Sequence, residues 1–234
     1  STQAMSSATP ISETIEIAEN TYSANIIAIL APGNGSQVAG TIPLLVAAQP
    51  GADGQLYIEL SDVAGRLLLR HVHPFAGEEL DVLLPFEVSR PPMPARLTVR
   101  TLDAYGRIQA MRSVELVLLG EGDSRISTAE SEIGLKITEP SSQDIVASGN
   151  LTVQGTADFY STRPVSLQII DRQERILVAR EVYLQANADG TGRFETTLTL
   201  DVEEPTWLQI AVTAFGQQVP GASYFDQIEI LLTP

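Results

Sequence analysis

Hydrophobic and polar residues alternate with a period of two along most of this 234-residue chain. Leu56, Ile58 and Leu60 alternate with Tyr57 and Glu59, and Leu198 and Leu200 alternate with threonines. In a β-strand this alternation directs one set of side chains toward a core and the other toward water. Such runs are separated by turn sequences rich in Gly, Pro, Asn and Asp, such as QPGADG and NADGTG. The pattern predicts an all-β protein.

The same succession of runs occurs twice. The pattern I-x-I-x-x-P that begins at Ile27 recurs as L-x-I-x-x-P from Leu135, an offset of 108 residues. LYIELSDVAGRLLL matches VSLQIIDRQERILV at an offset of 109, and RLTVRTLDAYG matches TWLQIAVTAFG at an offset of 110. A slowly rising offset is expected from short loop insertions. About seven short strands per copy are typical of a two-sheet sandwich of immunoglobulin type, so we predict two tandem immunoglobulin-like β-sandwiches.

Two stretches of polar, weakly patterned sequence set the expected domain limits. Residues 1–25 are rich in Ser, Thr, Ala and Glu, and we predict a flexible N-terminal stalk there. Residues 120–133 carry Gly, Ser and acidic side chains and few apolar ones, which indicates a short acidic linker. The two predicted sandwiches then span residues 26–119 and 134–234.

Charge and composition exclude several classes of function. The net charge of −15 opposes binding to nucleic acid or anionic lipid surfaces. The chain has no cysteine, which excludes disulfides, thiolate metal sites and cysteine nucleophiles. No apolar run is long enough for a transmembrane helix. The acidic excess is greatest in residues 134–234, which contain six basic and thirteen acidic side chains.

Residues 134–234 contain the patterns I-x-x-P-x(6)-V, V-x-G-x-A, L-x-D-x-x-G/E-x-L/I-L and G-x-F. The residues that form these patterns are Ile137, Pro140, Val146, Val153, Gly155, Ala157, Phe159, Ile170, Asp171, Ile176, Leu177, Gly192 and Phe194. Together these motifs resemble a bacterial immunoglobulin-like domain associated with spore-germination proteins. Residues 26–119 keep Pro32, Val38 and the run from Asp62 to Leu68, but they lack the G-x-F element and have VAAQ, residues 46–49, in place of V-x-G-x-A.

The resemblance implies a non-catalytic module that is exported to the envelope or secreted in a bacterium. From it we expect a spacer or protein-docking scaffold whose partner is a protein or a cell-wall component, without a cofactor and without nucleic acid. An anchoring segment ahead of the stalk is compatible with this expectation. The alternative is an accessory module that binds cell-wall glycan or polysaccharide through exposed aromatic residues, for which the candidates are Tyr57 on a strand and Phe159 and Tyr160 in a predicted loop.

Other candidate chemistry favours structural roles. His71 and His73 are expected on one face of a strand, but a metal centre needs a third ligand and a Ser-His-Asp triad needs a serine elbow that the sequence lacks. Asp62 and Asp171 each end a strand before a turn and are expected to cap it. The run 187–192 (NADGTG) resembles part of a calcium loop but is more typical of a tight turn. We therefore expect neither an enzyme nor a metal site.

Overall fold

The computed structural model describes residues 27–88, 91–128, 134–216 and 219–234, and all regular structure in these ranges is β-strand. The all-β prediction is confirmed. The N-terminal half (residues 27–128) contains β1 (Ile27–Ala31), β2 (Gln37–Ala39), β3 (Thr41–Ala48), β4 (Gln55–Asp62), β5 (Leu67–Pro74), β6 (Glu79–Pro85), β7 (Met93–Leu102) and β8 (Ile108–Leu119). The C-terminal half (residues 134–234) contains β9 (Leu135–Glu139), β10 (Ile145–Ala147), β11 (Gly149–Ala157), β12 (Val165–Asp171), β13 (Ile176–Val182), β14 (Gln185–Ala186), β15 (Gly192–Leu200), β16 (Thr206–Phe215) and β17 (Ala222–Thr233).

Within the described ranges the strands form three sheets. One sheet of the N-terminal half has the order β1-β3-β6, and one of the C-terminal half has the order β14-β15-β11-β9. The third sheet runs through both halves in the order β13-β12-β16-β17-β8-β7-β4-β5, with β2 added to β8 and β10 added to β17 in parallel. Each half therefore contributes one sheet of its own and one portion of the shared sheet.

Alternating side chains fill a separate hydrophobic core in each half. In β3 and β4 every second residue is buried, as the period of two predicts, and β12 shows the same pattern. Leu56, Ile58 and Leu60 belong to the core of the N-terminal half, and Leu198 belongs to that of the C-terminal half. Each core lies between the two sheets, so burial of apolar surface holds each pair of sheets together.

The strand registers show which positions correspond in the two halves. Ser61 pairs with Arg96, and Ile170 pairs with Gln209. Because Ser61 and Ile170 each precede the aspartate that ends its strand, Arg96 corresponds to Gln209, an offset of 113 residues. The offset of 110 taken from the sequence is therefore wrong within these strands, although Gly106 and Gly216 both lie in the turn that follows. The difference arises because the glycine match lies outside the strands: Gly106 is the fourth residue after β7, whereas Gly216 is the first residue after β16.

Part of the acidic segment continues the fold of the N-terminal half. Gln37 and Arg125 exchange backbone hydrogen bonds at N···O distances of 2.9 and 2.7 Å. The hydroxyls of Ser36 and Ser127 lie 2.9 Å apart, and the hydroxyl of Ser124 accepts a hydrogen bond from the backbone N–H of Ala39. Residues 124–127 thus lie along β2. The prediction of a stalk at residues 1–25 concerns residues outside the described ranges.

Candidate functional site

The two halves meet where the equivalent strands β8 and β17 pair in antiparallel fashion. Met111 pairs with Phe225 and Arg112 with Tyr224. This short ladder joins the sheets of the two halves into one. Because the paired strands are equivalent and antiparallel, the surroundings of the seam are related by an approximate twofold axis.

Arg96 is the central polar contact of this joint. Its guanidinium is 3% exposed and makes an ion pair with Glu115 of the neighbouring strand at 2.9 Å. One guanidinium nitrogen, Nη1, donates to the hydroxyls of Ser113 at 2.8 Å and Ser223 at 2.7 Å, and to the carbonyl oxygen of Ala222 at 3.2 Å. Nη2 donates to Glu115 and also to the carbonyl oxygen of Val219. An arginine on the outward face of the first half is therefore buried by a loop of the second.

A glycine makes this close approach possible. Gly216 lies in the loop that covers Arg96, and a Cβ atom there would overlap the guanidinium of Arg96 and lie 2.5 Å from a carboxylate oxygen of Glu115. Burial lowers the pKa of Arg96, while the adjacent Glu115 carboxylate acts in the opposite direction. The arginine stays cationic because its pKa in water is so far above neutrality.

A second contact joins the halves on the other side of the seam. The hairpin between β7 and β8 carries Arg107, which donates to Asp103 within the hairpin at 2.7 Å and to Glu229 of the C-terminal half at 3.3 Å. Strand register makes Glu229 the equivalent of Glu115, since the first pairs with Gln209 and the second with Arg96. Each half thus places its hairpin or loop against the outward sheet face of the other.

A cleft of about 280 Å³ lies beside the Arg96 contact. Its wall contains an aromatic stack in which the rings of Phe159 and Tyr224 lie 4.6 Å apart, with the guanidinium of Arg112 4.2 Å from the centre of the Tyr224 ring on β17. Arg112 also lies 3.9 Å from the carboxylate of Asp158. The aromatic residues along the cleft are Phe159, Tyr160, Phe215 and Tyr224.

The three aromatic residues that the sequence singles out occupy different places. Tyr160 is 45% exposed at the cleft, and Phe159 is half-buried against Tyr224. Tyr57 lies on β4, away from the cleft, where its hydroxyl donates to Asp53 at 2.7 Å and its ring lies under Arg100. The hydrogen bond to Asp53 raises the pKa of Tyr57. The structure thus brings two of the three candidates together.

Two aspartates that end strands cap the turns that follow, which confirms their predicted role. One carboxylate oxygen of Asp62 accepts from the backbone N–H groups of Ala64 at 2.8 Å and Arg66 at 2.9 Å, and the other accepts from the Arg66 side chain at 2.7 Å. Asp171 makes the same set of bonds with the second and fourth residues after it. Hydrogen bonds from Arg66 lower the pKa of Asp62, and burial acts in the opposite direction. For Asp171 burial is the largest single influence and raises the pKa, but the hydrogen bonds from Arg175 and Gln173 together outweigh it, so the pKa is lowered. These carboxylates act in folding.

The remaining polar candidates are also accounted for by local contacts. His71 and His73 lie on one side of β5, as expected, with ring centres 5.8 Å apart. Asp189 accepts from the backbone and hydroxyl of Thr191 at 3.0 and 2.6 Å, which confirms a hydrogen-bonded turn at 187–192. Among the described residues, no group of three or more His, Asp or Glu side chains lies together in a way that could hold a metal ion.

The carboxyl group of Asp226, near the joint, has a raised pKa. Asp226 lies on β17, where one of its oxygens accepts from the backbone N–H of Ile137 at 2.7 Å. Burial raises its pKa to about 6, although the hydrogen bonds from Ile137 and Gln227 and the charge of Lys136 oppose the change. The group therefore titrates close to neutral pH.

Comparison with known protein families gives a match within the C-terminal half. Residues 134–218 match the family model of the immunoglobulin-like domain of bacterial spore germination. The family is bacterial, and its immunoglobulin-like fold supports a non-catalytic module. No curated protein sequence matches the chain significantly. Within the described ranges no helix is long and apolar enough to span a membrane.

Several solved structures match the chain at low similarity. A marsupial T cell receptor is 8% identical over 88% of this chain and 73% of that chain, with a TM-score of 0.28. Bovine butyrophilin is 11% identical over 89% of this chain and 99% of its own, with a TM-score of 0.26. Red sea bream transglutaminase is 8% identical over 90% of this chain and 32% of its own, with a TM-score of 0.31. Scores this low do not bear on function.

Sequence reasoning missed the joint. Arg96 occupies an outward position of an alternating strand, where an arginine is normally solvated. Its partners Val219, Ala222 and Ser223 lie more than 120 residues further along the chain. Two signals were nevertheless present: a cation between apolar residues in β7, and a loop rich in glycine after β16.

Proposed function

We propose that this chain is a non-catalytic, exported module of the bacterial envelope that acts as a rigid spacer or protein-docking scaffold. The observation that carries the proposal is the joint, where Arg96 is buried between the halves and β8 pairs with β17. A continuous sheet and the hydrogen bonds from the buried Arg96 to Val219, Ala222 and Ser223 oppose bending, because separation of the halves would break both at once. Surface complementarity, not covalent chemistry, is then the mechanism.

The proposal includes a second domain of the same kind in the N-terminal half. Support comes from the pairings β1-β3, β3-β6, β4-β7 and β7-β8, which have counterparts in β9-β11, β11-β15, β12-β16 and β16-β17. The turns after Asp62 and Asp171 add a matching hydrogen-bond pattern. We infer two sandwich domains, at 26–119 and 134–234, with the segment 120–133 between them.

Rigidity can be tested directly, because the chain has no cysteine to interfere with labelling. Leu83 and Tyr183 are each 65% exposed and lie in different halves. Spin labels on the Leu83→Cys/Tyr183→Cys variant should give one narrow distance distribution, comparable in width to that of a Leu83→Cys/Val63→Cys control within one half. A distribution several times broader than the control would contradict the rigid spacer.

The envelope assignment needs a test in cells. The support for export is the match of the C-terminal half to a bacterial family of spore germination. Fractionation of a bacterium that expresses the full natural protein should place it in the envelope or the medium, and photo-crosslinking from exposed positions should then trap specific partners. Recovery in the cytoplasm would contradict the proposal.

Glycan binding is the second candidate function, because Phe159 and Tyr160 lie at one cleft and part of the Tyr160 ring is accessible. The test is retention of the purified chain on insoluble peptidoglycan and a panel of polysaccharides. Retention that Tyr160→Ala abolishes supports this candidate over the scaffold. Tyr57→Ala examines the third aromatic residue, which lies elsewhere on the sheet.

A further inference from the structure

The twofold arrangement of the joint creates two equivalent clefts, one on each side of the seam. We name them the aromatic cleft, of about 280 Å³, and the polar cleft, of about 380 Å³. The aromatic cleft contains Asn34, Gly35, Ser113 and Glu115, and the polar cleft contains their equivalents Ser142, Gln143, Gln227 and Glu229. The polar cleft therefore serves as an internal reference: a feature found in both clefts is attributed to the shared fold, and a feature of the aromatic cleft alone is not.

Features common to both clefts belong to the fold. The backbone N–H of Gly35 donates to the carbonyl oxygen of Glu115 at 2.8 Å, and that of Gln143 donates to the carbonyl oxygen of Glu229 at 2.6 Å. Gly35 and Gln143 also share a positive φ, 77° and 71°. A glutamine in this conformation is unusual, whereas glycine adopts it readily, so the turn itself is what the two halves preserve.

Aromatic side chains distinguish one cleft from the other. Four of the thirteen aromatic residues of the chain line the aromatic cleft, in a protein that is only 6% aromatic. Tyr160 and Phe215 present large exposed areas there, at 45% and 46% exposure. The polar cleft has one aromatic residue, Tyr105, which is 79% exposed and carries the guanidinium of Arg107 over its ring. The fold does not require this aromatic enrichment.

We propose that the aromatic cleft binds a neutral sugar ring, with Tyr160 and Phe215 packing against its C–H faces. The proposal deepens the glycan-binding candidate by naming its site, and it does not depend on the spacer role. A sugar ring has apolar C–H faces, which stack on aromatic rings, and hydroxyl groups around its edge. Ser161, Ser223 and Asn34 line the cleft and offer hydrogen-bonding groups for those hydroxyls.

Charge and size restrict the ligand. The net charge of −15 disfavours anions, and Arg96, which lies beside the cleft, already has five acceptors around it. A volume of about 280 Å³ is near the lower limit for small-molecule sites, which suits one or two sugar rings. Longer glycans would extend past Tyr160 into solvent.

The experiment measures binding of chitotetraose and cellotetraose to the full chain by calorimetry and saturation-transfer NMR. Tyr160→Ala and Phe215→Ala are the test variants, and Tyr105→Ala is the matched control from the polar cleft. Because all three rings are strongly exposed, the variants should fold, and the melting temperature of each verifies this. We expect one site for at least one sugar, with affinity reduced at least tenfold in both test variants and unchanged in the control.

Three outcomes would overturn the proposal. These are no saturable binding of either sugar at millimolar concentration, equal affinity in wild type and both test variants, and equal loss in the Tyr105→Ala control. The spin-label distances of the rigid spacer are measured separately. A rigid chain without sugar binding therefore refutes the cleft alone, and a flexible chain that binds sugar refutes the spacer alone.

Discussion

Replacement of Arg96 by alanine should release the two halves from each other while leaving both folded. Arg96 projects outward from β7, away from the core of its own half, so its loss creates no core cavity there. What disappears is its ion pair with Glu115 and its hydrogen bonds to Val219, Ala222 and Ser223. The joint then retains the short β8–β17 ladder, the ion pairs Arg107–Glu229 and Arg112–Asp158, and hydrogen bonds from Ser113 to Ala222 and from Val219 to Glu115.

The magnitude follows from the contacts that cross the joint. Three acceptors of the C-terminal half receive hydrogen bonds from a charged donor, and each such bond contributes about 1.5–3 kcal/mol. These contributions overlap because the bonds share one guanidinium. Removal of one partner of a buried pair costs about 3–5 kcal/mol, and Glu115 retains some access to water at 19% exposure. We therefore expect a loss near the lower end, about 3 kcal/mol, or roughly a hundredfold in the docking equilibrium.

Spin labels at Leu83→Cys and Tyr183→Cys report the joint, and urea unfolding reports the halves. In Arg96→Ala the distance distribution should broaden, and the unfolding transition should shift by the amount above. Arg100→Ala is the matched control: it is on the same face of β7 but pairs with Glu59 inside its own half. An unchanged distance distribution in Arg96→Ala, with an unfolding free energy within about 1 kcal/mol of wild type, would refute the role given to this arginine.

Two further predictions concern the C-terminal half. Folding raises the pKa of Asp226 to about 6, so its contribution to stability is greatest below pH 4 and falls by about 3 kcal/mol as the pH rises through 6. In urea unfolding, Asp226→Asn should therefore be more stable than wild type at pH 7 but not at pH 4. An equal difference at both pH values would contradict this. Gly155→Ala should destabilise the C-terminal half by about 1–3 kcal/mol, because the new Cβ would overlap the ring of Phe194 and crowd the backbone of Lys136. In calorimetry this variant should have a lower melting temperature than the control Gly77→Ala, where the added Cβ meets no atom within 4 Å.

The strands could be predicted because their pattern depends on local burial. In β3, β4 and β12 the core residues alternate with solvent-facing ones, and a period of two encodes this directly. The aspartate turns were equally local, since each carboxylate bonds to residues two and four positions further on. Edge strands gave weaker signals: β13 is mostly exposed and has no clean alternation.

The candidate site could be predicted only in part, since it depends on contacts between distant segments. Phe159 and Tyr160 were found from their aromatic character and predicted loop position, but Phe215 and Tyr224 join them through the packing of the C-terminal half. The opposite wall, with Asn34, Ser113 and Glu115, is added only when β17 meets β8. Tyr57 had the same outward strand signal as a binding residue, yet its hydroxyl bonds to the adjacent Asp53. A single sequence contains no record of which outward faces the other half will cover.

The joint explains why Arg96, on the outward face of β7, is buried although the sequence pattern predicts that it is exposed to solvent. Glu115 and Glu229 occupy equivalent positions, and each is paired with an arginine, but the first arginine comes from its own half and the second from the other. Buried Arg96 donates to three groups of the C-terminal half, whereas the Arg107–Glu229 pair that crosses on the other side is partly exposed. The two sides of the seam therefore differ in strength although the backbone arrangement is the same. If the halves ever separate, the polar cleft should therefore open first, with the Arg96 side acting as the hinge.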